Sequence, residues 1–292
     1  MNTHIPVLLN EILEYLQVKP DGIYIDCTLG EGGHSEAILQ KGGKIIGIEQ
    51  DGEILEIAKK RLGPKNIIFV HDNFKNIKEI LANSILIRGG ASASIDSVNG
   101  ILYDLGVSSV HFESKTRGFS FRFDADLDMR LDLRNKVTAK DLVNSLSVNQ
   151  LKEIILKYGE EHRAEKIAQA IVKNRPIHTT FELIKVIEPI IGYKNIHPAT
   201  KVFQALRIAV NQELDVLDES LDKAILLLKT GGRLLVISFH SLEDRLVKHK
   251  FRKWAKEGLA KIITKSPIRP TYEERKVNPR ARSAKLRVIE KT

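Results

Sequence analysis

The chain has a single cysteine, Cys27, in 292 residues. That excludes an intramolecular disulfide and leads to the expectation of a reducing, cytoplasmic setting. No apolar run approaches the roughly eighteen residues that a membrane span requires, so no membrane partner is expected. The N-terminal stretch has no charged segment followed by a long apolar one, so no signal peptide is expected. No internal repeat is visible. The nine histidines and the lone cysteine form no cluster with metal-ligand spacing, and no metal is expected. What the chain has in excess is positive charge: 46 Lys and Arg stand against 37 Asp and Glu, a formal net charge of +9. That balance suggests a polyanionic partner. The length suffices for a sizeable core, in one large domain or two smaller ones.

The most informative stretch is Gly22 to Asp51, GIYIDCTLGEGGHSEAILQKGGKIIGIEQD. Ile23, Tyr24 and Ile25 form a short apolar run suited to a buried parallel strand. The run ends at Asp26 and enters a turn containing Gly30, Gly32 and Gly33. Ser35 to Gln40 can begin a helix, Gly42 and Gly43 can stop it, and Lys44 to Ile48 reads as a second strand ending at Glu49. A glycine turn followed by a strand-end carboxylate is how nucleotide-type ligands are held: the backbone approaches closely, a helix N-terminus offers free N–H groups, and the acid takes ribose hydroxyls. The G-x-G-x-x-G of a dinucleotide fold is missing, which disfavours a nicotinamide dehydrogenase. The D-x-T-x-G-x-G-G that is present resembles the first motif of S-adenosylmethionine (SAM)-dependent methyltransferases.

Residues 1 to 20 read as an entry segment and an amphipathic helix, with His4 as either an exposed terminal residue or a substrate contact. Ile54 to Leu62 is a helix stopped by Gly63-Pro64, and Asn66 to His71 a third strand. Phe74, just past that strand, either flanks an adenine or belongs to the core. Ile77 to Leu86 is helical, and Arg88 to Ser97 reads as a loop. Val98 to Tyr103 is a fourth strand, ending at Asp104. From about Glu113 the pattern changes: RGFSFR and LDMRLDLR are rich in arginine and aromatics. Short helices follow, with capping patterns at Thr138 to Asp141, Ser147 to Gln150 and Thr179 to Glu182. Periodicity predicts one long helix from His197-Pro198-Ala199-Thr200 to Leu228, ended by Gly231-Gly232. A fifth strand, Arg233 to Ile237, leads to a helix capped by Ser241 and Asp244. Lys261 to Lys265 and Ala284 to Ile289 read as closing strands. The order βαβαβαβ, helical insert, αβαββ predicts an α/β fold, a doubly wound, mostly parallel sheet with an inserted lobe. The expected division is residues 1–112 with 197–292 as the core and 113–196 as an inserted helical, substrate-recognising domain.

Seven segments in order, DCTLGEGGHS, LYDLGVSS, RGFSFR, LDMRLD, HPATKVFQALRIAVNQEL, GGRLLVISFHSLEDR and NPRARSAKLR, resemble the RsmH (MraW) family from about Pro6 to Arg287. The resemblance implies a class I SAM-dependent methyltransferase core. It implies transfer of a methyl group to the exocyclic N4 of a decoding-centre cytidine in 16S ribosomal RNA (rRNA), with the small ribosomal subunit as partner. A homodimer is left open. SAM contacts in the family fall on positions matching Gly32, Gly33, His34, Glu49, Phe74, Asp104 and His111. Two depart from the family pattern: Glu49 stands where aspartate is common, and His111 where glutamine is usual.

An exocyclic cytosine amine is a poor nucleophile, because its lone pair is delocalised into the ring. A hydrogen-bond acceptor on its N–H restores a lone pair, and in-line positioning supplies much of the remaining acceleration. Asp104 is the candidate catalytic residue; it accepts that hydrogen bond or it holds SAM. In the second case the acceptor is a backbone carbonyl, His240 or Ser241, the latter two being equally a strand exit and helix cap. Cytosine C5 chemistry would need a cysteine at C6, and Cys27 sits inside the cofactor motif. Arg117, Arg122, Arg130 and Arg134, interleaved with Phe119, Phe121 and Phe123, have the chemistry to hold phosphates and stack a base, and Arg280, Arg282, Lys285 and Arg287 can do the same from the C-terminal side. Each arginine taken singly reads first as a solvated or salt-bridged surface group, and it is their clustering that points to RNA. The competing readings are a small-molecule methyltransferase on the same core and a non-catalytic ribosome-assembly or RNA-binding factor.

Overall fold

The computed structural model describes residues 5–87, 98–192, 197 and 199–292. His4, the Arg88 to Ser97 loop and Pro198 lie outside the described residues. Seven strands, β1 (Ile23–Asp26), β2 (Lys44–Glu49), β3 (Ile67–His71), β4 (Val98–Asp104), β5 (Leu228–Ser238), β6 (Ala260–Ile262) and β7 (Lys285–Lys291), form one sheet. Its order is β3-β2-β1-β4-β5-β7-β6. The first five strands pair in parallel, and β7 runs antiparallel to both β5 and β6. This is the class I SAM-dependent methyltransferase arrangement.

The chain divides into two compact units, Met1–Gly106 with Leu214–Thr292, and Val107–Glu213. In the first, alternation along the strands feeds two separate apolar layers. Ile25, Ile101, Tyr103 and Val236 pack on one face with α4 (Ile77–Ile87), α11 (Glu213–Leu227) and α12 (Ser241–Lys256). Tyr24, Leu102, Leu235 and Ile237 pack on the other with α1 (Leu9–Leu16), α2 (Gly33–Gln40) and α3 (Gly52–Leu62). Burial on both faces explains why these strands read as continuous apolar runs.

The second unit is helical: α5 (Ser109–Glu113), α6 (Ala139–Ser145), α7 (Val148–Gly159), α8 (Ala164–Lys173), α9 (Thr180–Ile191) and α10 (Ala199–Asn211). Leu151, Ile155, Ile167, Ile171, Leu183, Ile187, Val202 and Leu206 are its fully buried centre. Thr138, Ser147 and Thr179 each complete a capping box with the residue three further on. Thr179→Ala is expected to destabilise this unit by about 1 kcal/mol, read from the denaturant midpoint.

The periodicity from residue 199 to 228 spans two helices, not one. Gln212 takes a left-handed conformation (φ +51°) and breaks the run between α10 and α11. Asn211 fixes that break, accepting from the Leu131 N–H at 2.8 Å and donating to the Met129 carbonyl at 2.8 Å. Because α10 buries its apolar face in the helical unit, that unit extends to Glu213, whereas the sequence placed residues 197–213 with the core. The β5 strand also begins at Leu228, before Gly231-Gly232. The cap of α12 is His240, which closes a capping box with Glu243. Asp244, assigned to the cap from sequence, instead holds Arg287 at 2.7 Å and Lys285 at 3.1 Å.

Candidate active site

Three parallel strands of the first unit end in carboxylates: Asp26 on β1, Glu49 on β2 and Asp104 on β4. The strand order reverses between β1 and β4, and open α/β sheets bind ligands outside the carboxyl ends of strands at such a point. Asp26 is 2% exposed. It accepts the Ser35 hydroxyl at 2.8 Å and the Thr28 N–H at 3.2 Å. Thr28 in turn accepts the Asp104 N–H at 2.6 Å. The turn after β1 is thereby fastened both to α2 and to the end of β4.

Glu49 fastens the same turn from the other side. Its carboxylate accepts the Gly30 N–H at 2.9 Å and the Asp51 N–H at 2.9 Å. Burial, assisted by the Asp51 charge, pushes its carboxyl up to about 7 against the pull of those N–H donors. Gly32 carries φ +84°, and a Cβ there would lie 2.7 Å from Leu62 Cδ1; at Gly33 it would lie 2.4 Å from Pro6 Cγ. Both positions therefore exclude a side chain. Gly32→Ala is expected to cost about 1–3 kcal/mol of stability and to weaken ligand binding at the turn, read by thermal melting and equilibrium titration.

His34, 6% exposed, opens α2. Its Nε2 lies 2.9 Å from the Val7 carbonyl, which assigns the proton to that nitrogen. Nδ1 then faces Asp104 Oδ2 at 3.6 Å. Burial lowers the pKa of His34, against the opposing charge of Asp26, so the ring is neutral at pH 7. Burial raises Asp26 as well. Asp104 is pushed up to about 7, first by burial and then by repulsion from Glu243. Its second oxygen, Oδ1, is buried without a hydrogen-bond partner among the described residues. An orphaned carboxylate oxygen carries a desolvation penalty that a bound donor would relieve.

Phe74 opens the short 3-10 turn after β3, its ring edge-on to Tyr103 with centroids 5.4 Å apart. The Ser220 hydroxyl bridges the Phe74 carbonyl (2.9 Å) and the Tyr103 hydroxyl (2.6 Å). Gly32, Gly33, His34, Glu49, Phe74 and Asp104 thus all belong to the first unit. His111 belongs to the second, where its Nδ1 accepts the Ser108 N–H at 3.2 Å and its ring lies 4.8 Å from Phe119.

Several predicted phosphate ligands are committed elsewhere. Arg130 is bidentate on Asp128, with both contacts at 2.7 Å, and Arg134 holds Asp132 at 2.8 Å. Arg117 is buried, donating to the Arg130 carbonyl at 2.7 Å. Lys285 and Arg287 are taken by Asp244. The residues that sequence reasoning missed are Thr28, Ser35, the Val7 carbonyl and Glu243. Each acts through a tertiary contact; only the adjacency of Thr28 and Ser35 to the glycine turn was visible beforehand.

The family model described as the MraW methylase family matches residues 1–292. Among curated proteins, one from Finegoldia magna is 46% identical over 99% of this chain and 98% of its own length. One from Fusobacterium nucleatum is 47% identical over 99% and 96%, and one from Thermosipho melanesiensis 47% identical over 99% and 97%. All three are named ribosomal RNA small subunit methyltransferase H.

Proposed function

This chain belongs to the MraW methylase family, a family of SAM-dependent methyltransferases, and from that premise we propose that it methylates the exocyclic N4 amine of a decoding-centre cytidine in 16S rRNA, in the cytoplasm. The relatives' names support the small-subunit rRNA as substrate. The first unit fits SAM on its own features. Gly32 and Gly33 keep the turn free of side chains, since a Cβ there would strike Leu62 or Pro6, and the three strand-end carboxylates suit a ligand carrying a sulfonium and an ammonium. We assign Gly32, Gly33 and His34 to the methionyl and turn contacts, Glu49 to the ribose hydroxyls, Phe74 to the adenine and Asp104 to the reacting end. When bound, SAM supplies an already activated methyl group.

The observation that carries the proposal is the orphaned Oδ1 of Asp104. A carboxyl poised at about 7 matches what a general base near neutral pH requires. Oδ1 accepts the amine N–H and so localises the nitrogen lone pair, while Oδ2 stays against His34. His240 and Ser241 are then not needed as acceptors; His240 caps α12. The N4 reading over C5 is supported by Cys27. Its thiol is 2% exposed and burial pushes it well above the usual range, which makes it a poor nucleophile. The test is transfer of labelled methyl from SAM to small subunits that lack this modification. Label in 16S rRNA supports the reading. SAM binding without incorporation contradicts it, and no SAM binding would move the chain to the assembly-factor alternative.

A further inference from the structure

The helix α12 carries a basic run without a carboxylate, Arg245 to Lys256, RLVKHKFRKWAK. Val247, Phe251 and Trp254 bury one side of it. Lys250 turns towards α11, held by Asp222 at 2.6 Å and Asp218 at 2.9 Å. The remaining basic residues, Arg245, Lys248, His249, Arg252, Lys253 and Lys256, follow the i, i+3, i+4, i+7, i+8, i+11 spacing of one helical face. That face spans an arc of about 140° and about 16 Å along the axis. Lys248, Arg252, Lys253 and Lys256 make no ion pair among the described residues. The two carboxylates just upstream do not neutralise it: Glu243 is buried against the helix cap, and Asp244 is spent on Lys285 and Arg287. Beside the ridge, Leu214, Leu242 and Leu246 line an open groove of about 390 Å3 together with Asp218, His249 and Lys253.

We propose that this α12 face and its groove form a docking surface for a single-stranded segment of the RNA substrate. Successive phosphates lie along the ridge and an unpaired base lies over the leucines. Ammonium and guanidinium groups spaced along a rod match a phosphodiester backbone, and an apolar floor beside them accepts a base face, the combination that single-strand binders use. The assignment of RNA as the occupant rests on the proposed function; the surface itself is tested without it.

The experiment compares wild type, the triple variant Lys248→Gln, Arg252→Gln, Lys256→Gln, and a control triple, Lys41→Gln, Lys60→Gln, Lys65→Gln, which removes the same charge from exposed positions elsewhere. Binding of a twelve-nucleotide oligouridylate is measured against salt, together with SAM affinity and thermal melting. The α12 triple is expected to flatten the log Kd–log salt slope by about 2 and to raise Kd about a hundredfold at 0.1 M salt. SAM affinity and melting should stay at wild-type values, and the control triple should shift Kd less than about threefold. On unmodified small subunits the same triple should raise KM and leave kcat. An unchanged slope, equal losses in both triples, or equal affinity for a duplex of the same length would overturn the proposal. A wild type that binds oligouridylate through α12 but transfers no methyl would refute the proposed function and leave this surface standing.

Discussion

Asp104→Ala lowers kcat for methyl transfer by about a thousandfold or more, the upper part of the range for loss of a positioned general base, while the protein stays folded. The expectation follows from where the carboxylate sits. The backbone of Asp104 is held through its N–H to Thr28, so the strand end survives loss of the side chain. Oδ2 lies beside His34 and Oδ1 has no partner among the described residues, so the group contributes little bonding to the fold. Its raised pKa carries a stability consequence of definite sign. A carboxyl whose folded value is raised binds its proton more tightly in the native state. Its favourable contribution is complete below the ordinary carboxylate value of 3.8 and is lost as pH rises towards about 7. Asp104→Asn is therefore expected to melt above wild type at pH 8, with the gap narrowing towards pH 4. A variant that loses turnover and gains stability is the signature of a group placed for chemistry. Normal turnover in Asp104→Ala with SAM binding intact would refute the role.

SAM binds more weakly as pH falls below 7. In the free protein Glu49 and Asp104 are both pushed up to about 7. A cationic ligand with ribose hydroxyls favours the ionised carboxylates, so below that pH binding must expel protons. If one group is coupled, affinity falls about twentyfold between pH 7.5 and 5.5; if both are, it falls several hundredfold. Calorimetry in buffers of different ionisation enthalpy would count the protons released near pH 6.5. Glu49→Gln should remove about one of them and flatten the pH profile. A flat affinity across this range in the wild type would show that neither carboxyl is linked to the ligand.

The parts of the molecule set by local chemistry were legible in the sequence. Apolar runs ending in Asp26, Glu49 and Asp104 marked the three strand ends, and the glycine turn marked the approach to them. The capping boxes at Thr138, Ser147 and Thr179 announced their helices, because the partners lie only three residues apart. What was not legible depends on contacts across the chain. The periodic residues from Phe203 to Leu228 keep helical spacing through Gln212, so nothing local reveals that Asn211 ties the chain to Met129 and Leu131 and breaks the helix. Arg130 and Arg134 look like phosphate ligands by composition, and only the fold shows them folded back on Asp128 and Asp132. The same holds for His240, whose capping role belongs to its neighbour by sequence pattern. The orphaned Oδ1 of Asp104 could not be read beforehand either, since lack of a partner is a property of the packed site.

The most direct test of the account is the identity of the methylated nucleoside. Small subunits lacking the modification are incubated with the protein and labelled SAM, the 16S rRNA is digested, and the label is assigned by chromatography and mass. The account predicts N4-methylcytidine from a single site, absent with Asp104→Ala. Label in 5-methylcytidine, or in a nucleoside other than cytidine, would contradict it.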